Sequence, residues 1–240
     1  MYAQTLLEEL PPEHPCASCT ARLRTFCAAL DARELEKFKC MGSTIRLEAH
    51  EPLFHEGDAA DTVFNLTSGT LKLYKLLPDG RRQVMGFLQP GDFLGITMDE
   101  EHAFSAEALE PVEACRFSRA RFDAFIEEHP RMERELYRLA AHELTMAQAQ
   151  MVLLGRKTAL ERVATFLLGL LRRQEERHGT ADTVELQMNR LDIADYLGLT
   201  KETVSRLFTS LKTTGVNRRH SDDRVSITNP AQHKYLASEC

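Results

Sequence analysis

Between Ile45 and Phe117, apolar and polar positions alternate in short runs separated by turn residues. Thr62–Leu66, Leu71–Leu77 and Gln83–Leu88 each predict a strand, and the SGT, PDG and QPGD segments that follow them supply turn chemistry. In the second run Leu71 and Leu73 share one face and Lys72 and Tyr74 the other, the period of a half-buried strand. Turn signals about every 8–12 residues predict an antiparallel sandwich or roll. After Pro130, which suits the first turn of a helix, the period changes. Residues 131–157 contain no Gly before Gly155 and predict one long helix. Met132, Leu139, Met146 and Leu153 recur every seven residues, flanked by Leu136, Ala140, Ala147 and Leu154. Such a heptad stripe predicts a homodimer seam through Met132, Leu136, Leu139, Met146 and Leu153; a helix packed on its own domain is the competing explanation. A further helix follows from Thr158 to about Arg177, then a polar break, then a helical region from Arg190 to Gly215.

That last region, LDIADYLGLTKETVSRLFTSL over 191–211, is the most specific stretch of the chain. Ala194 is small where two helices would cross, Gly198 permits a tight turn, and Val204 plugs the second helix, the spacing of a helix-turn-helix. Val204, Leu207, Phe208 and Leu211 face inward at i, i+3, i+4 and i+7, which leaves Lys201, Glu202, Ser205, Arg206 and Thr209 outward. A surface ion pair is the bland explanation for Glu202 and Arg206; the surrounding motif favours base contact. Val216–Thr228 predicts a wing, two strands around Ser221-Asp222-Asp223, with Arg218 and Arg219 as candidate phosphate contacts.

Charge changes the picture of what the chain meets. The net charge is −6 over 240 residues, yet residues 156–240 hold 14 Lys and Arg against 11 Asp and Glu, while 1–155 hold 16 against 25. A polyanion such as double-stranded DNA should therefore meet the C-terminal third. At 43% hydrophobic and 28% charged residues the composition is that of an ordinary globular protein. No apolar run reaches the roughly 20 residues needed to cross a bilayer, and MYAQTLLEEL lacks the basic start and apolar stretch of a leader, so a cytoplasmic location without membrane contact is expected. No P-loop, H-E-x-x-H or nucleophile–base spacing points to an enzyme.

Six cysteines in a reducing compartment point to metal, redox chemistry or burial rather than disulfides. Cys16 and Cys19 form a C-x2-C pair and Cys27 follows after seven residues, one thiol short of the four that zinc or an iron–sulfur cube takes. Both centres stay open on this spacing. Cys40 is expected in the core, Cys240 at the terminus, and His14 as a solvated neighbour.

Over essentially its whole length the chain resembles the CRP/FNR family of bacterial transcription regulators, and Glu202, Ser205 and Arg206 resemble the E-x-x-S-R pattern of its FNR branch. The resemblance implies an α+β chain: a cysteine-containing arm (1–28), a jelly-roll-like antiparallel β-roll sensor (29–128), a dimerisation helix (129–157) and a winged helix-turn-helix (158–240). It implies that Arg206 reads a guanine, Glu202 accepts from a base amine and Ser205 packs near a thymine of a TTGAT half-site, with Lys201, Thr209, Arg218 and Arg219 on phosphates. It also implies the fourth ligand, Cys115, so that Cys16, Cys19, Cys27 and Cys115 hold a [4Fe–4S] cluster on a mobile arm, destroyed or converted by oxygen; zinc or redox thiols are the alternative. RNA polymerase is an implied partner through the loop at Asp79–Arg82, although an exposed charged hairpin is the favoured explanation of that loop. A cyclic nucleotide, the family's familiar ligand, is not expected: Gln83 to Cys115 holds no Lys or Arg but seven Asp and Glu, and a phosphate buried there would lack a cation. Asn217 departs from the aliphatic residue usual in the family.

Overall fold

The computed structural model describes residues 10–97, 99–179, 182–221 and 223–237, with Arg177, His178 and Arg219 described by their backbone only; Cys240 lies outside them. Contacts divide the chain into two units, Met1–Lys75 with Met85–Leu144, and Leu76–Val84 with Thr145–Cys240.

The first unit opens with turns through 11–21 and two short 3-10 turns, Arg22–Arg24 and Phe26–Ala29, and continues into α1 (Ala32–Cys40). Asp31 and Glu34 close a capping box at the start of α1. Strands β1 (Ser43–Leu47), β2 (Pro52–Phe54), β3 (Thr62–Ser68), β4 (Leu71–Leu76), β5 (Arg82–Leu88), β6 (Phe93–Leu94), β7 (Ser105–Ala108) and β8 (Val112–Ser118) form two antiparallel four-stranded sheets, ordered β1-β8-β3-β6 and β2-β7-β4-β5. Leu66, Leu71, Ala106, Ala108 and Ala114 fill the core of the roll. Then come α2 (Arg119–Glu128) and α3 (Pro130–Arg156), the long helix.

A second core joins the cysteine-bearing segment to the roll and to α3. Phe26, Cys27, Phe38, Phe117, Phe122, Phe125 and Met132 are all buried in it. Phe26 is 0% exposed and meets Phe38, Phe93 and Phe122 edge-on, at centroid distances of 5.7, 4.8 and 5.6 Å, the favoured geometry of aromatic pairs. Residues 21–30 therefore belong to the folded body of the first unit, which corrects the expectation of a separate mobile arm. Cys40 is also corrected: it is exposed, because Leu35 and Phe38 take the buried face of α1.

The expected dimer seam is corrected in register. Met132 is buried in its own unit's core, with Leu136 and Leu139 packed against that core, and Leu153 is buried as well. Of the five, only Met146 is exposed, whereas Tyr137, Leu144 and Met151, again seven apart, stand out from α3.

In the second unit α4 (Ala159–His178) starts at the capping box of Thr158 and Glu161. β9 (Thr183–Glu185), α5 (Arg190–Leu197), α6 (Lys201–Thr213), β10 (Asn217–Arg219), β11 (Arg224–Ile227) and α7 (Pro230–Leu236) follow. β9 lies where only a polar break was expected, and it completes a three-stranded wing sheet in the order β10-β11-β9.

Asn217 is 4% exposed, and neither its side-chain oxygen nor its nitrogen has a hydrogen-bond partner. Asn217→Val removes two unsatisfied buried groups and suits a strand, so it should stabilise the second unit by about 1–3 kcal/mol. Calorimetry checks this; a lowered midpoint would show that the amide is satisfied in the folded protein.

Candidate metal centre and nucleic-acid interface

The four predicted cysteines come from three places in the first unit: the turn holding Cys16 and Cys19, the 3-10 turn holding Cys27, and β8, which carries Cys115. Each is locally fixed. The Cys19 amide donates to the Cys16 carbonyl at 3.2 Å, and the Cys27 amide donates to Thr25 Oγ1 at 3.0 Å. His14 fastens this segment rather than standing in solvent. Its Nδ1 accepts from the Cys16 amide at 3.0 Å, so its Nε2 carries the proton and faces the Ala32 carbonyl at 3.2 Å. Cys115 sits opposite Thr44 of β1 and Asn65 of β3.

Two side chains reach the sulfurs. Lys39 Nζ lies 3.3 Å from Cys115 Sγ, and Asn65 Nδ2 lies 3.9 Å from Cys27 Sγ. Burial pushes the Cys16 thiol up to about 11 and the Cys27 thiol up to about 12, and raises that of Cys115. After burial, Lys39 draws Cys16 and Cys115 back down, while the neighbouring cysteines push upward: Cys115 and Cys19 act on Cys16, Cys16, Cys19 and Cys115 act on Cys27, and Cys19 acts on Cys115. Four thiols thus share one electrostatic neighbourhood, and three of them, Cys16, Cys27 and Cys115, lie against one apolar cluster. Among the described residues no three Cys, His, Asp or Glu side chains are grouped as a site for a single metal ion.

The second site is built on α5 and α6. Asn189 caps α5 through the Leu191 and Asp192 amides, at 2.8 and 2.9 Å. Gly198, in the left-handed region at φ 61°, ends that helix and allows the turn into α6. Val204, Phe208 and Leu211 are buried and Leu207 is half-buried, which leaves Lys201, Glu202, Ser205, Arg206 and Thr209 exposed on one side of α6. Arg206 Nε donates to the main-chain carbonyl of Glu202 at 3.4 Å, not to its carboxylate. Arg218 is exposed on β10; the side chain of Arg219 lies outside the described residues.

Sequence reasoning missed Arg190, whose guanidinium carbon stands 3.7 Å from the Phe208 ring centroid and packs α5 on α6. It also missed Arg82, which joins Asp192 at 2.7 Å and Asp195 at 2.8 Å within the second unit. The alternating charges of the Asp79–Arg82 hairpin carried no signal of that partner.

Residues 44–129 match the cyclic nucleotide-binding domain family, and residues 161–232 match the Crp-like helix-turn-helix domain. The chain is 46% identical over 229 residues to the nitrogen fixation regulation protein FixK of Bradyrhizobium diazoefficiens, covering 95% of this chain and 96% of that protein. It is 34% identical to the transcriptional activator protein FnrL of Cereibacter sphaeroides, covering 94% and 93%. The structure of FixK2 from Bradyrhizobium japonicum superposes with a TM-score of 0.76 at 35% identity, covering 83% of this chain and 98% of that one. The chain belongs to the CRP/FNR family of transcription regulators. As a CRP/FNR regulator of FNR/FixK type it binds DNA, and the helix-turn-helix in its second unit is the family's DNA-binding domain.

Packing around Cys27 gives a direct check. In metal-free protein Cys40, exposed, should alkylate well before Cys27, which is 8% exposed. Phe26→Ala should cost about 3–5 kcal/mol and narrow that difference. Mass spectrometry of time-resolved alkylation reads both; equal rates in the unaltered protein would contradict the burial of Cys27.

Proposed function

We propose that this regulator is oxygen-responsive: Cys16, Cys19, Cys27 and Cys115 hold a [4Fe–4S] cluster, and a homodimer paired along α3 binds palindromic TTGAT-type DNA sites to control anaerobic or microaerobic genes. The observation that carries the cofactor is the shared neighbourhood of four thiols, three of which, Cys16, Cys27 and Cys115, pack on one apolar cluster. A zinc ion needs all four sulfurs about 2.3 Å from one point. A four-iron cube takes one thiolate on each iron and suits thiols that are neighbours without converging on a single ion. When bound, the cluster supplies a clamp across the four thiolates and a centre that oxygen attacks.

The chain's own residues carry that state to the helix. Cys27, Phe26, Phe125 and Met132 share one core, Leu136 and Leu139 pack on it, and Arg131 of α3 pairs with Glu34 of α1 at 2.8 Å. Displacement of the cysteine segment therefore bears directly on the first turns of α3, the element whose pairing is to be biased. The dimer seam we assign is Tyr137, Leu144 and Met151, 71%, 60% and 72% exposed, with Ala140, Ala141 and Ala147 between them. An apolar stripe of that length in water is unfavourable until a second copy covers it.

On DNA, Arg206 reads guanine, Glu202 a base amine and Ser205 a thymine, while Lys201, Thr209, Arg218 and Arg219 meet phosphates. No cyclic nucleotide is assigned to the roll, and the engagement of two of its cations supports this. Lys72, buried in the roll, pairs with Glu107 at 2.8 Å, and Arg119 donates to the carbonyls of Ala60, Thr97 and Asp99. Polymerase contact is assigned to the exposed hairpin tip at Asp79 and Arg81, since Arg82 is already engaged.

Anaerobically purified protein should contain iron and sulfide, and Ser at any of the four cysteines should abolish iron-dependent visible absorbance, whereas Cys40→Ser should not. Zinc without iron in the unaltered protein would replace the cluster with the alternative centre. Sedimentation should show Leu144→Glu shifted toward monomer, with Met146→Glu shifted less; an unchanged dimer in Leu144→Glu sinks the assigned seam.

For DNA, a bidentate guanine contact gives about 1–3 kcal/mol of discrimination, so Arg206→Ala should flatten preference at one guanine of each half-site. Arg218→Ala should weaken all sites alike and lower the salt slope by about one per lost contact. Titration of a single-substitution operator series at several salt concentrations reads both. Uniform weakening by Arg206→Ala would remove it from base reading.

A further inference from the structure

We infer that Lys39 is a positioning residue that sets the oxidation resistance of the metal centre by a charge-assisted hydrogen bond to Cys115; this rests on the cluster reading above. Lys39 Nζ is 3.3 Å from Cys115 Sγ and 2.9 Å from Thr44 Oγ1. Those two acceptors are direct cross-strand partners on β1 and β8, so the ammonium is held at two points rather than one. Its stem leaves α1 one residue after Phe38, which is 2% exposed in the aromatic core. That packing fixes the direction from which Lys39 approaches the sheet.

A lysine in the last turn of a helix is also favourable to the helix dipole, and that role alone would leave the sulfur unaffected. The distance to Sγ distinguishes the two. A full positive charge in hydrogen-bond contact with a ligand sulfur stabilises the more negative state of the metal–thiolate unit and raises its potential. With the cluster bound, oxidation by dioxygen would take one electron from the iron–sulfur unit, leaving it one electron more oxidised and forming superoxide. Loss of that electron brings the unit's charge closer to that of the lysine, so the lysine opposes it.

The test uses full-length protein, purified anaerobically with its iron and sulfide counted, then exposed to air while visible absorbance is followed; midpoint potentials are measured in parallel. Lys39→Met, which keeps the stem and removes the charge, should bleach about three- to tenfold faster. Since a tenfold change in a one-electron equilibrium is about 59 mV, its potential should fall by up to that amount. Lys39→Arg should restore most of the resistance. Thr44→Val, which removes the second acceptor and leaves the sulfur contact, should bleach within about twofold of the unaltered protein. If Lys39→Met holds no iron, Lys39→Gln, polar and uncharged, carries the same comparison. Unchanged bleaching and potential in the uncharged variants overturn the role of Lys39 and leave the cluster intact. Absence of iron from the unaltered protein overturns the cluster reading and this inference together.

Discussion

The seat of Phe26 is the constraint on which the first unit depends. A segment rich in Cys, Thr and Arg has little intrinsic reason to fold, yet one fully buried ring, edge-on to three others, fixes its position. Cys27 follows immediately and is carried under the sheet. Thr25 precedes it and caps the turn through its hydroxyl. The ring of His14 then joins the turn of Cys16 and Cys19 to the start of α1. Burying an aromatic ring contributes on the order of 1.5–3 kcal/mol, ample to hold one short segment against a scaffold.

The same core makes the cysteine segment and α3 mechanically continuous. Met132 enters the aromatic cluster from α3, Phe122 and Phe125 enter it from α2, and Phe117 enters from β8, two residues beyond Cys115. A closely packed core transmits displacement because it has no voids to absorb it. Within the sheet, Thr44, Cys115, Asn65 and Phe93 form one cross-strand row. Polar groups in such a row are costly unless something answers them. Lys39 and the thiols answer three, whereas the Asn65 oxygen has no partner.

The second unit is ordered by a different device, the satisfaction of helix-end carbonyls. Arg162 donates to the carbonyls of Leu154, Lys157 and Leu197, at 2.8, 3.0 and 2.9 Å. One guanidinium thereby ties the end of α3, the entry to α4 and the end of α5. Its planar fork of five donors suits that task as an ammonium does not. With α5 so anchored, Gly198 sets the turn and Arg190 seats Phe208, which fixes the outward face of α6.

What the sequence determined by itself is what local rules govern. The Thr158–Glu161 cap, Pro130 at the start of α3, the Gly198 turn, the inward spacing of Val204, Phe208 and Leu211, and the paired wing strands each depend on residues within a few positions of one another. Tertiary structure decided the rest. The helix carries two heptad stripes, through Met132 and through Tyr137, and the aromatic core determined that Met132, Leu136 and Leu139 of the first are spent inside the first unit. β9 has three residues and gains its identity from pairing with β11. Cys40 points outward because two neighbours claim the buried face of α1. The approach of Cys115 to Cys27, and of Lys39 to Cys115, joins residues 88 and 76 positions apart, and no local pattern encodes such closure. It arises where burying Phe26 offsets the entropy of bringing distant chain segments together.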